Sequence, residues 1–223
     1  MPPRGLLFSS IVANPLSTTA CKVALKVIDE IHGISGAHPI VLEEVAGLTS
    51  RSGMKCLGCC EPSESYTHIK IEPNAPTYST TLCHEIGHFI DVVGFAPGLK
   101  DAPSNGLFKH WFDAVQKSEY YKKLSRVRSA GYINESNKNG KKVRVNFTNN
   151  EINYVIYLMK PQELFARAYV QWLDTLTDNA SYKAEFSSDK LLFHGLQQWE
   201  DDDFVPVGNE ISILFKRKGW ITL

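Results

Sequence analysis

His84-Glu85-Ile86-Gly87-His88 sets two imidazoles four residues apart, with a carboxylate directly after the first. On a helix of 3.6 residues per turn, positions i and i+4 lie one above the other, so both rings can meet a single cation. Glu85 sits about 100° round the same helix, where its carboxylate serves a water at the ion rather than the ion itself. Two neutral imidazoles and one carboxylate around a divalent zinc leave a net positive charge, the condition for lowering the pKa of a bound water and polarising a carbonyl. Random placement of the chain's 7 His and 14 Glu in 223 residues produces this pattern in on the order of one chain in a hundred.

A reactive site needs a third protein ligand and one open position. Glu163 is the first candidate, in Pro161-Gln162-Glu163-Leu164-Phe165-Ala166-Arg167-Ala168-Tyr169. Pro161 suits a first helical turn, and Leu164, Phe165, Ala168, Trp172 and Leu173 form an apolar stripe that presses this helix onto the core beside the histidine helix. The plainer role of such a glutamate is to compensate the helix dipole. Asp91, seven residues after His84 and on the same face, is the other candidate, as a direct ligand or as an acceptor behind a ligand histidine. The five cysteines, Cys21, Cys56, Cys59, Cys60 and Cys83, make no disulfide framework. Cys56 and Cys59 have C-x-x-C spacing without a second pair, which reads as reduced thiols in a loop rather than a second metal site.

The segments His84-Glu85-Ile86-Gly87-His88-Phe89-Ile90-Asp91 and Gln162-Glu163-Leu164-Phe165-Ala166-Arg167-Ala168-Tyr169 resemble the gluzincin metallopeptidases. The likeness is to the catalytic domain of anthrax lethal factor and to phage- or toxin-associated zincin domains, and it covers a small part of the chain. Metzincins need Gly and His where this chain has Asp91 and Gly94, and the Glu-Gly-Cys-Leu-Ser context of peptide deformylase is absent. The resemblance implies one zinc ion on His84, His88 and Glu163, Glu85 as general base, and hydrolysis of a peptide or protein substrate. It also implies a tyrosine that donates to the oxyanion, seven residues before the glutamate in lethal-factor-like enzymes. Ile156 stands at that position, so Tyr157 is favoured and Tyr154 is the alternative. Where gluzincins commonly carry an acid four residues after the glutamate, this chain has Arg167, which is left to pair with Glu163 or another acid. The competing function is a non-enzymatic binding module, or a toxin or virion component, built on the same scaffold.

Around these residues the chain is ordinary: 43% is hydrophobic, and 24 Lys and Arg balance 24 Asp and Glu. No global field therefore draws it to nucleic acid or to an anionic membrane. No apolar run approaches the roughly 18 to 20 residues that span a bilayer. Met1 to Phe8 makes a poor secretory signal, so the cytoplasm is the expected location, with secretion or virion association still compatible.

The patterning predicts an α+β, zincin-like fold over residues 1–223 as one domain, with a sheet-containing half to about 94 and a helical half from about 95 that carries the third ligand. Expected elements are a helix over Thr18–Ile31 capped by Ser17 or Thr18, strands over Pro39–Val45 and Tyr66–Ile71, and the histidine helix over Thr77–Val93. Tyr66–Ile71 is expected as the edge strand of a small mixed sheet, able to receive an extended peptide. Further helices are expected over Gly106–Leu124, Pro161–Leu176, Asp189–Trp199 and Asn209–Lys218. Tyr132–Phe147 reads as a hairpin whose Lys138, Lys141, Lys142 and Arg144 form a solvated face.

Overall fold

A computed structural model describes residues 6–7, 11–13, 19–32, 34–35, 39–49, 55–63, 65–95, 106–136 and 140–221. The first part holds β1 (Leu6–Leu7), β2 (Ile11–Ala13), α1 (Thr19–His32), β3 (Ile34–Ser35), β4 (Ile40–Glu44), β5 (Gly58–Pro62), β6 (Thr67–Ile71) and α2 (Tyr78–Phe89). A π-helical turn, Ile90–Phe95, continues α2. The second part holds a 3-10 turn (Gly106–Phe108), α3 (Lys109–Lys117), α4 (Glu119–Ala130), β7 (Tyr132–Ser136), β8 (Lys142–Asn146), α5 (Asn149–Leu158), α6 (Pro161–Leu176), α7 (Ala180–Lys190), a single turn α8 (Leu192–Gly195) and α9 (Asp201–Lys218). The chain is thus mixed α+β, mainly helical after the sheet. None of the described helices is long and apolar enough to cross a membrane.

The sheet that supports the histidine helix is mixed, in the order β2-β4-β6-β5, with β5 alone antiparallel to its neighbour. In β6, Thr67, Ile69 and Ile71 are buried while His68 and Lys70 are not, so the period of two turns one face to the helices. Tyr66–Ile71, expected at the edge, is therefore an inner strand. The edge is β5, which falls in the stretch expected to be a loop. Gly58-Cys59-Cys60-Glu61-Pro62 has no apolar alternation to announce a strand; pairing places it, with Cys59 opposite Lys70 and Glu61 opposite His68. Lys70 Nζ also donates to Glu61 Oε2 at 2.8 Å. Edges tolerate Gly and Pro because half of their backbone groups need no strand partner.

α2 lies at the centre, packed on α6, α1, α7 and the β5–β6 side of the sheet. Thr77 makes no side-chain cap for it. Instead Glu185, from α7, accepts the Thr80 amide at 2.7 Å and the Thr80 hydroxyl at 3.3 Å, placing a carboxylate on the positive end of the helix. The regular helix stops at Phe89, short of the expected Val93, and the wider π-turn carries Asp91 into full burial. Near the end of that turn Gly94 lies against the Trp220 indole, where a Cβ would come within 2.8 Å of the ring.

Other boundaries move for identifiable reasons. The helix expected over Gly106–Leu124 divides at Ser118, whose hydroxyl accepts the Tyr121 amide, and Asp203 of α9 accepts the Glu119 and Tyr120 amides at 2.9 Å each. α5 was not expected, although Thr148 and Glu151 close a reciprocal capping box at its start. In place of a helix over Asp189–Trp199, α7 ends at Lys190 and Phe193 and His194 turn left-handed, with φ of 48° and 58°. α9 starts at Asp201 rather than Asn209, its first turn acidic and its last turn basic. Ser17, Thr18 and Lys138 lie outside the described residues.

His32 ties α1 to the far end of the chain. Its Nδ1 donates to the Trp220 carbonyl at 2.7 Å, which leaves Nε2 to accept from the Tyr169 hydroxyl at 3.0 Å. Burial, opposed by the Trp220 carbonyl, pushes the imidazole pKa down to about 4. Between its usual value and that one, the unfolded chain takes up a proton that the fold refuses. Stability is therefore full above about pH 6.5 and falls as pH drops through this window, by up to about 3 kcal/mol. Urea midpoints at neutral and acid pH are expected to separate more in the parent than in His32→Gln; equal separations would reject this role.

Candidate metal centre

Two helices converge to make the site. α2 presents His84 and His88 from successive turns, and α6 presents Glu163 from its first turn, just after Pro161. They meet because the helices almost touch: a Cβ on Gly87 would lie 2.9 Å from the Ala166 Cα and 3.2 Å from its Cβ. The glycine inside the histidine motif and the alanine three residues after the glutamate are the contact that lets one helix reach the other.

The three side chains converge, each imidazole facing its own oxygen of the Glu163 carboxylate. The His84 and His88 Nε2 atoms are 3.1 Å apart, Glu163 Oε2 is 3.3 Å from His84 Nε2, and Glu163 Oε1 is 3.5 Å from His88 Nε2. Donors about 2.0 to 2.1 Å from a tetrahedral ion stand about 3.3 to 3.4 Å from one another, so the two imidazoles and the carboxylate are gathered at the spacing one ion needs, and three groups leave a fourth position. The Glu163 side chain is 7% exposed, whereas those of His84 and His88 keep 21% and 17%, so the cluster opens to solvent on the imidazole side. Burial acts against charge on both Glu163 and His88, but their mutual attraction prevails. It holds the Glu163 carboxyl well below the usual range and lifts the His88 imidazole to about 9. This is the electrostatics of a carboxylate and imidazoles gathered to share one positive charge.

Glu85 stands beside this cluster and not in it. It is buried, and burial raises its carboxyl pKa, with the two imidazoles pulling the other way. The edge strand closes over it: the Cys60 amide donates to the carboxylate, and a Cβ on Gly58 would fall 2.6 Å from its Oε1 and 2.7 Å from its Cγ. Neither Gly58 nor the Cys60 amide was singled out by residue type. A glycine within a strand often marks a close backbone approach, but only pairing with β6 makes this stretch a strand.

Tyr157, at the end of α5, interacts through its hydroxyl with the Glu163 carboxylate, and burial followed by that carboxylate raises its pKa. Tyr154 stacks on it with ring centroids 6.0 Å apart, but its hydroxyl accepts from Gln197 Nε2 at 2.9 Å, whereas Tyr157 meets Glu163, so Tyr157 is the tyrosine at the cluster. Asp91 is not among the converging ligand atoms; it lies close enough to His88 to help hold that imidazole's pKa up. Arg167 forms no ion pair with Glu163. It is buried and donates to the Leu158 carbonyl, at the end of the helix that carries Tyr157. All five cysteines are free, and Cys56, Cys59 and Cys60 join no second cluster of ligand atoms among the described residues. Cys59 and Cys60 lie in β5 rather than in a loop.

Fold and site together define a mixed α+β chain whose central helix and a neighbouring helix gather His84, His88 and Glu163 into a cluster able to hold a metal ion. Comparison with protein-family models, curated proteins and solved structures finds no match.

Proposed function

We propose that this chain is a zinc-dependent metalloendopeptidase of the gluzincin type, acting on a peptide or protein substrate. The observation that carries this reading is the convergence of the His84 and His88 Nε2 atoms on the Glu163 carboxylate, open to solvent on one side, with the buried Glu85 carboxylate next to it. Two nitrogens and a carboxylate oxygen suit zinc, which when bound supplies a Lewis acid that polarises a carbonyl and acidifies a water.

The chain's own groups do the rest. Glu85 accepts the proton of the attacking water and delivers it to the leaving amine, and a raised carboxyl pKa suits a group that must both take and return a proton. Gly58 and the Cys60 amide hold that carboxylate in place. The Tyr157 hydroxyl donates to the oxyanion that develops on the scissile carbonyl. The free side of β5, rather than of β6, receives the extended substrate by main-chain hydrogen bonds.

The direct test offers a peptide library to the zinc-loaded protein and reads cleavage by mass spectrometry. Cleavage is expected with zinc, lost on chelation and regained on adding zinc back. A folded, zinc-loaded protein that cuts no peptide would instead make the scaffold a binding module.

A further inference from the structure

Positions 117 to 144 carry nine Lys and Arg against two acids, Glu119 and Glu135, in a chain whose net charge is zero. Among the described residues, Lys123, Arg126 and Arg144 come together at one groove. α4 aligns Glu119, Lys123, Arg126 and Ala130 as a single helical stripe, facing Tyr132, Ile133 and Asn134 of β7 across a groove of about 410 Å³. Hairpin register puts Arg144 opposite Asn134 and Asn146 opposite Tyr132, so these four share a face. The Arg144 guanidinium lies 3.7 Å over the Tyr132 ring and donates to Asn146 Oδ1 at 3.0 Å, which fixes its position. Of the acids, Glu119 is neutralised by Lys122 at 2.7 Å.

We infer that the α4 and β7–β8 groove binds an acidic stretch of a polypeptide. Lys123, Arg126 and Arg144 complement carboxylates, and β7 and β8 pair only with each other among the described residues, leaving outer edges for an extended chain. Nucleic acid fits less well. Single strands are held by successive open aromatic faces, whereas the one aromatic ring lining the groove, Tyr132, is covered by Arg144. The groove also lies within reach of the metal centre, because α5 follows the hairpin directly and its ten residues, about 15 Å long, end beside Tyr157. An acidic segment held here places a neighbouring segment of the same chain at Glu85. That role in selecting substrate rests on the peptide-hydrolase reading; the binding itself does not.

Fluorescence anisotropy of a labelled poly-glutamate peptide against the whole protein tests it, with an oligodeoxythymidine as the competing polyanion. Saturable, salt-sensitive peptide binding is expected, equal with and without metal and in Glu85→Gln. Reversal of charge in K123E/R126E/R144E is expected to weaken it by about tenfold or more. Circular dichroism checks the fold of that variant, and Lys142→Glu, at an exposed hairpin position, provides a milder second variant expected to weaken binding in the same direction. No peptide binding, undiminished binding in both variants, or tighter binding of the oligonucleotide would overturn the inference. So would sedimentation showing that the groove mediates self-association of the parent. If peptide binds but nothing is cleaved, the groove stands and the hydrolase reading fails.

Discussion

Replacing Glu85 by Gln is expected to leave one metal ion bound and to lower peptide cleavage by about 10²- to 10⁴-fold, the usual worth of a positioned general base. The separation is possible because Glu85 lies outside the His84, His88 and Glu163 cluster while sharing a helix with the two histidines. Glutamine keeps the side chain's size and can still accept the Cys60 amide, so the edge strand is not disturbed. What it loses is the ability to take a proton. Metal content by mass spectrometry and turnover on any peptide found to be cut measure the two effects separately. Undiminished turnover with full metal would remove Glu85 from the chemistry and leave the mechanism without a base. Gly58→Ala approaches the same carboxylate from the strand side: its methyl group would overlap Glu85 and lower turnover, again without loss of metal.

The contrast between those two residues shows which parts of the site could be read in advance. Glu85 is legible because its relation to His84 and His88 is local, set by helical pitch alone. The helix bearing Glu163 is equally legible, and its bounds, Pro161 to Leu176, fall where Pro161 and the apolar stripe predict. Gly58 is different, since its importance lies in what stands opposite it. β5 has no period of its own and takes its place only through pairing with β6. The same holds for Glu185, whose capping of α2 from another helix has no signature in either segment. The division at Ser118 also draws on a distant group, the Asp203 carboxylate. The start of α5 is another matter: Thr148 and Glu151 stand at capping-box spacing, a signal that is local to the sequence. For the tyrosines, sequence distance from Glu163 left Tyr154 and Tyr157 as alternatives. What separates them is the tertiary partner, Gln197 for one and Glu163 for the other.

Gly87→Val is expected to release the metal without touching a ligand. No neighbour can give way cheaply at that contact, because the nearest atom to the added Cβ is the Ala166 backbone, 2.9 Å away. The helices must move apart, and Glu163, three residues before Ala166, moves with α6. Zinc bonds of about 2.0 to 2.1 Å leave little tolerance, so even a shift well under 1 Å converts a three-ligand site into a two-histidine site. Overpacking is expected to cost about 1 to 3 kcal/mol of stability, which leaves room for a folded variant that circular dichroism can verify. Metal affinity should fall by at least the 10- to 100-fold typical of disturbed ligand support, with Gly87→Ala intermediate. Glu163→Ala supplies the reference, because it removes the carboxylate and leaves the interhelical contact intact. If Glu163→Ala keeps its full zinc, the carboxylate is no ligand and the proposed centre fails. If Glu163→Ala loses zinc while Gly87→Val retains it at parental affinity, the ligand set survives, and the close approach of α2 and α6 is not what assembles it.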